Sequence, residues 1–338
     1  VTAAHFGAES STGAHVNGCN TDALSTAVDA LAYCINLGGE ETMIAYPNLL
    51  FDRNIFDGHG MMCSFLTLTV GINRGAGEIE YGKIYDLYVP PAFLRLYGVP
   101  VVSLEAVWHI PDKGTLNGAL GEGITIKSKL GTPPRPFGEA CYASWRVGDF
   151  IKYDERQGHQ VFCHQNEFIP EDAKAMRAAI GATGNGRLFL AHTAVDDPNE
   201  MIALGMCYLS QLGPLLANCA FLADGYVTGG TAETYARRSF PQQNTRAQQG
   251  YTAFVHTKIS QVVGVSAIHT GTMRSGQMEG DAADKNTAFM LQAAVADGPY
   301  RRQEWGGMKL TAPIISGGMN VLYQPSLFEN MGHFNAIL

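Results

Sequence analysis

The sequence predicts an α/β protein, an N-terminal α+β domain over residues 1–115 followed by a (β/α)8 barrel over residues 116–338. Three observations predict it. From about residue 120, short β-like runs alternate with helical segments, the rhythm of parallel βαβ units. The polar residues of those runs gather at their C-terminal ends, which is the active-site face of a barrel. No Gly-rich dinucleotide fingerprint or phosphate-loop lysine motif follows the first run, which disfavours a doubly wound nucleotide-binding sheet.

Taken in order, the first 115 residues are mixed in pattern, with strand-like MIAYP (43–47), MMCSFLTLTVGI (61–72) and KIYDLYV (83–89). The barrel runs are GITIKSKL (123–130), GDFIKYDE (148–155), RLFLAHTAV (187–195), CAFLADGYV (219–227), SAIHTGT (266–272), APIISGG (312–318) and FNAIL (334–338). Between them lie helical stretches such as EDAKAMRAAIGA, DPNEMIALGMCYLSQLG and GYTAFVHTKISQVVG. Only seven runs are present, because SFPQQNTRAQQG (239–250), where a fifth belongs, is polar and strandless. A barrel lacking a strand is expected to leave unpaired edges. Both chain ends are expected to be cut, since the chain opens inside an element and stops on an apolar run.

With 338 residues and 46% hydrophobic content, the chain can bury a core large enough for two domains. A formal net charge of -8 argues against a nucleic-acid footprint. No run approaches the roughly 18 apolar residues of a membrane span, and no signal peptide opens the chain, so a soluble protein is expected. The seven cysteines form no CxxC pair and no zinc spacing, which predicts reduced thiols.

The chemistry concentrates in two runs. In Lys152-Tyr153-Asp154-Glu155, strand alternation sends Lys152 and Asp154 to one side, with Glu155 where the strand runs out. Two carboxylates suit a hard cation such as Mg2+. The lysine beside them fits only if its charge is removed, and the alternative is an internal salt bridge. In the first run, Lys127 and Lys129 share one strand face and suit an anionic phosphate or enolate; the alternative is one lysine paired with Asp154 or Glu155 and the other reaching solvent.

AAHFGAESSTG, FDRNIFDG, SFLTLT, GITIKSKLG, GDFIKYDE, GYTAFVH, IHTGT, MEGDAADKN, EWGGMK and PIISGGMN occur here in that order. With these blocks the chain resembles the form II large chain of ribulose bisphosphate carboxylase/oxygenase over essentially its whole length. The resemblance implies an N-terminal α+β domain and a TIM-type barrel, here lacking most of strand 5 and everything after strand 8. It implies a homodimer with active sites shared between subunits, in which Lys152 is carbamylated by CO2 and the carbamate, Asp154 and Glu155 hold Mg2+. Ribulose 1,5-bisphosphate is then converted to its enediolate, which CO2 or O2 attacks to give 3-phosphoglycerate in carbon fixation. The resemblance makes Lys127 the proton-transfer lysine and Lys129 its neighbour at the substrate. His269, Ser316, Gly317 and Gly318 are to contact substrate or its phosphate, and Glu9 is to enter the partner subunit's site. Residence in the plastid (chloroplast) stroma follows, with the bacterial cytoplasm as alternative.

Each carried-over residue also has a plain reading. His269 is alternatively a satisfied core histidine, Ser316-Gly317-Gly318 a simple turn, and Glu9 a helix-start carboxylate beside Ser10, Ser11 and Thr12. The sequence departs from the family pattern where GKMEG is replaced by a motif with Gln277, and where Ile72 follows Gly71 in place of an asparagine. The HYHRAGHG-like fifth strand has no counterpart. These departures define an alternative function, a catalytically impaired homologue that associates with intact large chains. A weaker alternative is an enolase-type isomerase acting on another sugar phosphate.

Overall fold

The structure is a computed structural model that describes residues 2–12, 23–38, 41–51, 82–97, 100, 102–112, 120–127, 131–153, 160–193, 195, 197–222, 250–273, 275, 283–298, 300–333 and 335–338. The chain forms two compact units, Val1–Leu87 with Gly230–Val255, and Tyr88–Gly229 with His256–Leu338.

In the first unit the helix Thr2–Glu9 ends where two serines turn their hydroxyls back onto it. Ser10 Oγ donates to the Phe6 carbonyl at 2.6 Å and Ser11 Oγ to the Gly7 carbonyl at 2.8 Å. Ser and Thr hydroxyls compete well with a helical backbone, so this run stops the helix. An antiparallel hairpin joins Leu31–Asn36 to Glu41–Ala45, with a bulge between Ala32 and Cys34. Of the run KIYDLYV, only Lys83–Ile84 is a strand, paired in parallel with Gly250–Tyr251.

The last residue of that run is held by a side chain instead of a strand. Val89, in the second unit, donates its N–H to Gln303 Oε1 at 3.1 Å and accepts from Gln303 Nε2 at 2.9 Å. One buried side-chain amide satisfies both backbone groups, so no neighbouring strand is needed there.

The second unit is built on a parallel sheet of eight segments. Their order is Leu120–Gly121, Ala336–Ile337, Ala312–Ile314, Ala267–His269, Cys219–Leu222, Leu188–His192, Phe150–Tyr153 and Gly123–Ile126. The first and last segments are separated in the chain only by Glu122. On one side of this stretch, Leu338 N–H donates to the Gly121 carbonyl at 2.9 Å and Gly123 N–H to the Leu338 carbonyl at 3.1 Å. On the other side, Gly123 pairs with Phe150. The order of pairing therefore starts and finishes on one stretch of chain. Where a fifth strand was expected, Leu222 pairs directly with Ala267, so the predicted unpaired edges do not occur between these two strands.

Alternation along the strands divides the core in two. Phe150, Leu188, Leu190 and Ile314 face inward, onto a floor made by Trp108 of the helix Leu104–His109. Ile151, Tyr153, Phe189 and Ala191 face outward against the helices Pro134–Trp145, Gln165–Thr183 and Pro198–Leu212. Gln165–Thr183 closes on Gly184, whose φ of 76° and N–H bond to the Ile180 carbonyl form a left-handed cap. An antiparallel pair, Val295–Asp297 with Arg302–Glu304, was not foreseen from the sequence.

One sequence expectation is corrected. Asn199–Asn218 is long and apolar enough, by length and composition, to cross a membrane, although only 17% of that window is buried. Its helix Pro198–Leu212 packs Leu204, Tyr208 and Leu212 into the outer core, while Ile202, Met206 and Leu209 are exposed.

Candidate active site

Thr125, Lys152, Leu190 and Ala220 lie in register across four adjacent strands. Leu190 and Ala220 belong to the inner core, so this row faces inward and Lys152 with it. The sequence dictates this: in Phe150–Tyr153 the bulky aromatic Tyr153 goes outward between Phe137 and Phe168, leaving Lys152 on the opposite face. Lys152 is 3% exposed, and its ammonium donates to the Tyr153 carbonyl at 3.2 Å. Two residues further along their strands stand Lys127, exposed, and His192, fully buried. Lys127 and Lys152 thus lie on the same inward face, while the partners predicted to share their sides, Lys129 and Asp154, lie outside the described residues.

A second pair meets at the same end of the sheet. His269 ends the strand Ala267–His269 opposite Ile314, and Ser316 lies two residues beyond Ile314. Ser316 Oγ and His269 Nδ1 are 2.7 Å apart. His269 is therefore a histidine with a hydroxyl partner at the strand ends, not one enclosed in the apolar core. Gly317 and Gly318 follow with φ of 123° and 76°, values that side chains rarely tolerate, so the two glycines allow the backbone to turn immediately behind Ser316.

Lys129, Asp154 and Glu155 lie outside the described residues, as do Gln277, Gly71 and Ile72. Among the described residues no group of three or more His, Cys, Asp and Glu side chains is placed to hold a metal ion. Of the donors predicted for Mg2+, only Lys152 is described, buried on the inward face. Glu9 ends its helix, so the helix-start reading of Glu9 is corrected.

The most perturbed titratable groups lie elsewhere. Asp172, fully buried between the helices, has its carboxyl pushed well above the usual carboxylate range by burial, opposed by a hydrogen bond from the Cys141 thiol. Burial likewise pushes the Cys141 thiol and the Tyr208 hydroxyl up. Perturbed groups often mark active sites. This set belongs to the outer core, where Cys141, Cys163 and Tyr208 pack among apolar side chains, so we read it as structural.

His192 is the residue that sequence reasoning passed over. It was visible as a polar end to a strand, but nothing assigned it a role. The signal was the period of two through Leu188, Leu190 and His192, which carries the inward face of the strand to the imidazole.

A parallel sheet that is apolar within, and that carries lysines, histidines and a serine on the C-terminal ends of its strands, defines the chain as an α/β protein with its candidate site at that end of the sheet. Residues 114–338 match the catalytic domain of the ribulose bisphosphate carboxylase large chain, and residues 1–93 match its N-terminal domain. The chain belongs to the ribulose bisphosphate carboxylase large-chain family. It is 61% identical to a ribulose bisphosphate carboxylase of Symbiodinium sp., with 100% of this chain and 23% of the relative covered. It is 60% identical to the chloroplastic ribulose bisphosphate carboxylase of Heterocapsa triquetra, covering 100% of this chain and 47% of that one. With the ribulose bisphosphate carboxylase of Rhodobacter capsulatus it shares 49% identity over 99% of this chain and 76% of the relative. The chain thus spans between about a quarter and about three quarters of the length of these relatives. The first two alignments run over 350 positions against the 338 residues here, so those relatives carry at least 12 positions that this chain lacks.

Proposed function

We propose that this chain acts as a ribulose-1,5-bisphosphate carboxylase/oxygenase, adding CO2 or O2 to the enediolate of ribulose 1,5-bisphosphate to give 3-phosphoglycerate. The observation that carries this reading is the inward Lys152, buried beside Thr125 and Leu190 with Lys127 one step above on the adjacent strand. The neutral Lys152 amine adds to CO2, a nitrogen–carbon bond forms, and one proton leaves to water. The carbamate joins the carboxylates of Asp154 and Glu155 as an all-oxygen donor set, which suits Mg2+. A bound Mg2+ would polarise the substrate carbonyl. Lys127 then serves proton transfer and Lys129 stands by the substrate. The Ser316–His269 pair and the turn at Gly317 and Gly318 hold substrate or its phosphate, with His269 also serving as a catalytic base or acid.

The same reading has the chain divided at about residue 115, working as a homodimer with Glu9 supplied to the partner subunit's site. It places the protein in the plastid stroma, or in the bacterial cytoplasm, in keeping with a chloroplastic relative and with bacterial ones. A second reading is favoured by Gln277, where the family pattern has lysine, and by the direct Leu222–Ala267 pairing. It makes the chain a catalytically impaired copy associated with intact large chains.

Labelled bicarbonate, Mg2+ and ribulose 1,5-bisphosphate given to the purified chain, beside Lys152→Ala, separate the two. Labelled 3-phosphoglycerate above the Lys152→Ala blank supports the carboxylase. Its absence from a folded dimer that still pairs with an intact large chain supports the impaired copy.

A further inference from the structure

The helix Pro198–Leu212 is apolar on two sides, and the outer core uses one of them. Leu204, Tyr208 and Leu212 pack inward, while Ile202, Met206 and Leu209 are 68, 60 and 47% exposed. These three follow one another at steps of four and three residues, so they stand above each other as a stripe on the outward surface. Apolar residues at that spacing form the seam by which one helix packs on another. No charged residue interrupts the sequence between Glu200 and Asn218.

The charges at the two ends of the stripe decide which helix fits. The N-terminal end is acidic: Asp197 caps the helix by accepting from the Asn199 N–H at 2.8 Å, and Glu200 lies in the first turn. The C-terminal end is basic: Arg177, on the neighbouring helix Gln165–Thr183, donates to the Gln211 carbonyl at 3.2 Å. Glu200 and Gln211 stand roughly 16 Å apart along the axis, with Met206 midway. A surface that is acidic at one end, apolar in the middle and basic at the other is complementary to itself when turned end for end. A twofold axis beside Met206 makes that turn, laying a second copy of the helix antiparallel on the first with Glu200 by the partner's Arg177 and Met206 by the partner's Met206.

We propose that the outward face of Pro198–Leu212 is a self-association surface, its partner being the same face of a second copy of this chain packed antiparallel about a twofold axis at Met206. It is separate from the contact that would bring Glu9 to a partner subunit's site, and it does not rest on the carboxylase reading. The face is about 22 Å long and about 10 Å wide, well under the roughly 1,200 Å2 of a standard stable interface. The pairing is therefore reversible and grows with concentration.

Sedimentation equilibrium of the full chain, from dilute to concentrated solution, tests it. At the concentrated end the wild type is expected to have twice the average mass of Met206→Arg, which sets two like charges against each other at the axis. Val147→Arg, at another exposed apolar position, is expected to match wild type. Glu200→Arg and Arg177→Glu are each expected to keep the lower mass alone and to reach the higher one when mixed, because an arginine then faces a glutamate at both ends of the interface. Equal masses for wild type and folded Met206→Arg at every concentration overturn the proposal. So does a mixture of the two folded charge variants that stays at the lower mass. Flotation of the wild type with phosphatidylcholine vesicles, lost in Met206→Arg and without any difference in mass between the two, puts a bilayer on this face and likewise overturns it.

Discussion

Replacing Asp172 with asparagine is expected to make the protein more stable at neutral pH and to remove much of the loss of stability that comes with rising pH. Asp172 is completely buried between the helices Pro134–Trp145 and Gln165–Thr183, and neither carboxyl oxygen has a well-formed hydrogen bond beyond the weak contribution of the Cys141 thiol. Burial raises its pKa well above the ordinary 3.8, with Glu171 adding to the rise. The sign follows from proton counting. Below the ordinary value both folded and unfolded chains hold the proton, and the group adds no pH dependence. Above it the unfolded chain releases the proton and the folded chain keeps it, so stability falls until the raised value is reached. The slope is about 1.4 kcal/mol per pH unit within that window, or roughly 3–6 °C in Tm for a unit of this size. Asparagine has the same shape and no proton to release. Thermal and urea unfolding of both proteins at half-unit pH steps should give curves that coincide at the acid end and separate steadily as pH rises, the variant being the more stable. Parallel curves, or a variant destabilised at every pH, would refute the argument, because either result means that the Asp172 carboxyl ionises in the folded chain at its ordinary value or is bound as an anion.

Three further outcomes are expected. Gly123→Ala places a methyl group against the Phe150 carbonyl oxygen and 2.6 Å from the Phe150 ring, a collision inside a paired ladder that should cost about 3 kcal/mol in urea unfolding; a wild-type midpoint contradicts it. Ser316→Ala removes the 2.7 Å bond to His269 and should raise KM for the bisphosphate about tenfold with a smaller change in kcat, and an equal fall in kcat at constant KM would place the pair in the chemical step instead. Gln277→Lys should raise carboxylation kcat by about a hundredfold or more, since a charged group at a developing anion commonly contributes on that scale; an unchanged rate would show that this side chain does not limit the reaction.

The parts of the fold that were legible in the sequence are those whose cause is local. Strands flanked by helices on one side and apolar neighbours on the other read as continuous apolar runs, so Phe150–Tyr153, Leu188–His192 and Cys219–Leu222 fall inside the predicted runs. The inward direction of Lys152 was legible for the same reason, through the period of two. The shared place of His269 and Ser316 was legible only through their motifs, because the two residues are 47 positions apart and no periodicity links neighbouring strands. The end of the strand at Ile84 was not legible at all. Nor were the partners of Val89, whose backbone N–H and carbonyl are both bonded by Gln303, a side chain more than two hundred residues away.

The missing fifth strand follows the same logic at the scale of the sheet. Deleting a strand from a parallel sheet removes one set of backbone partners and exposes two edges, unless those edges are both parallel and can meet. Here they are: the strands on either side of the gap run in the same direction, and Leu222 reaches Ala267 without reversing either. What the sheet loses is interior width, because strand number sets the space enclosed. Beside Ile314, the inward side chains on this side of the sheet include three small ones. Ala220, Ala267 and Ala312 sit on three successive strands, all fully buried, opposite the bulk of Phe150, Leu188 and Leu190. A methyl group at each position leaves room for the larger residues to fill the centre without overlap. The polar residues Lys152 and His192 rise from the bulky side and the His269–Ser316 pair from the strands that carry Ala267 and Ala312. The candidate site therefore draws on strands from both sides of the Leu222–Ala267 pairing.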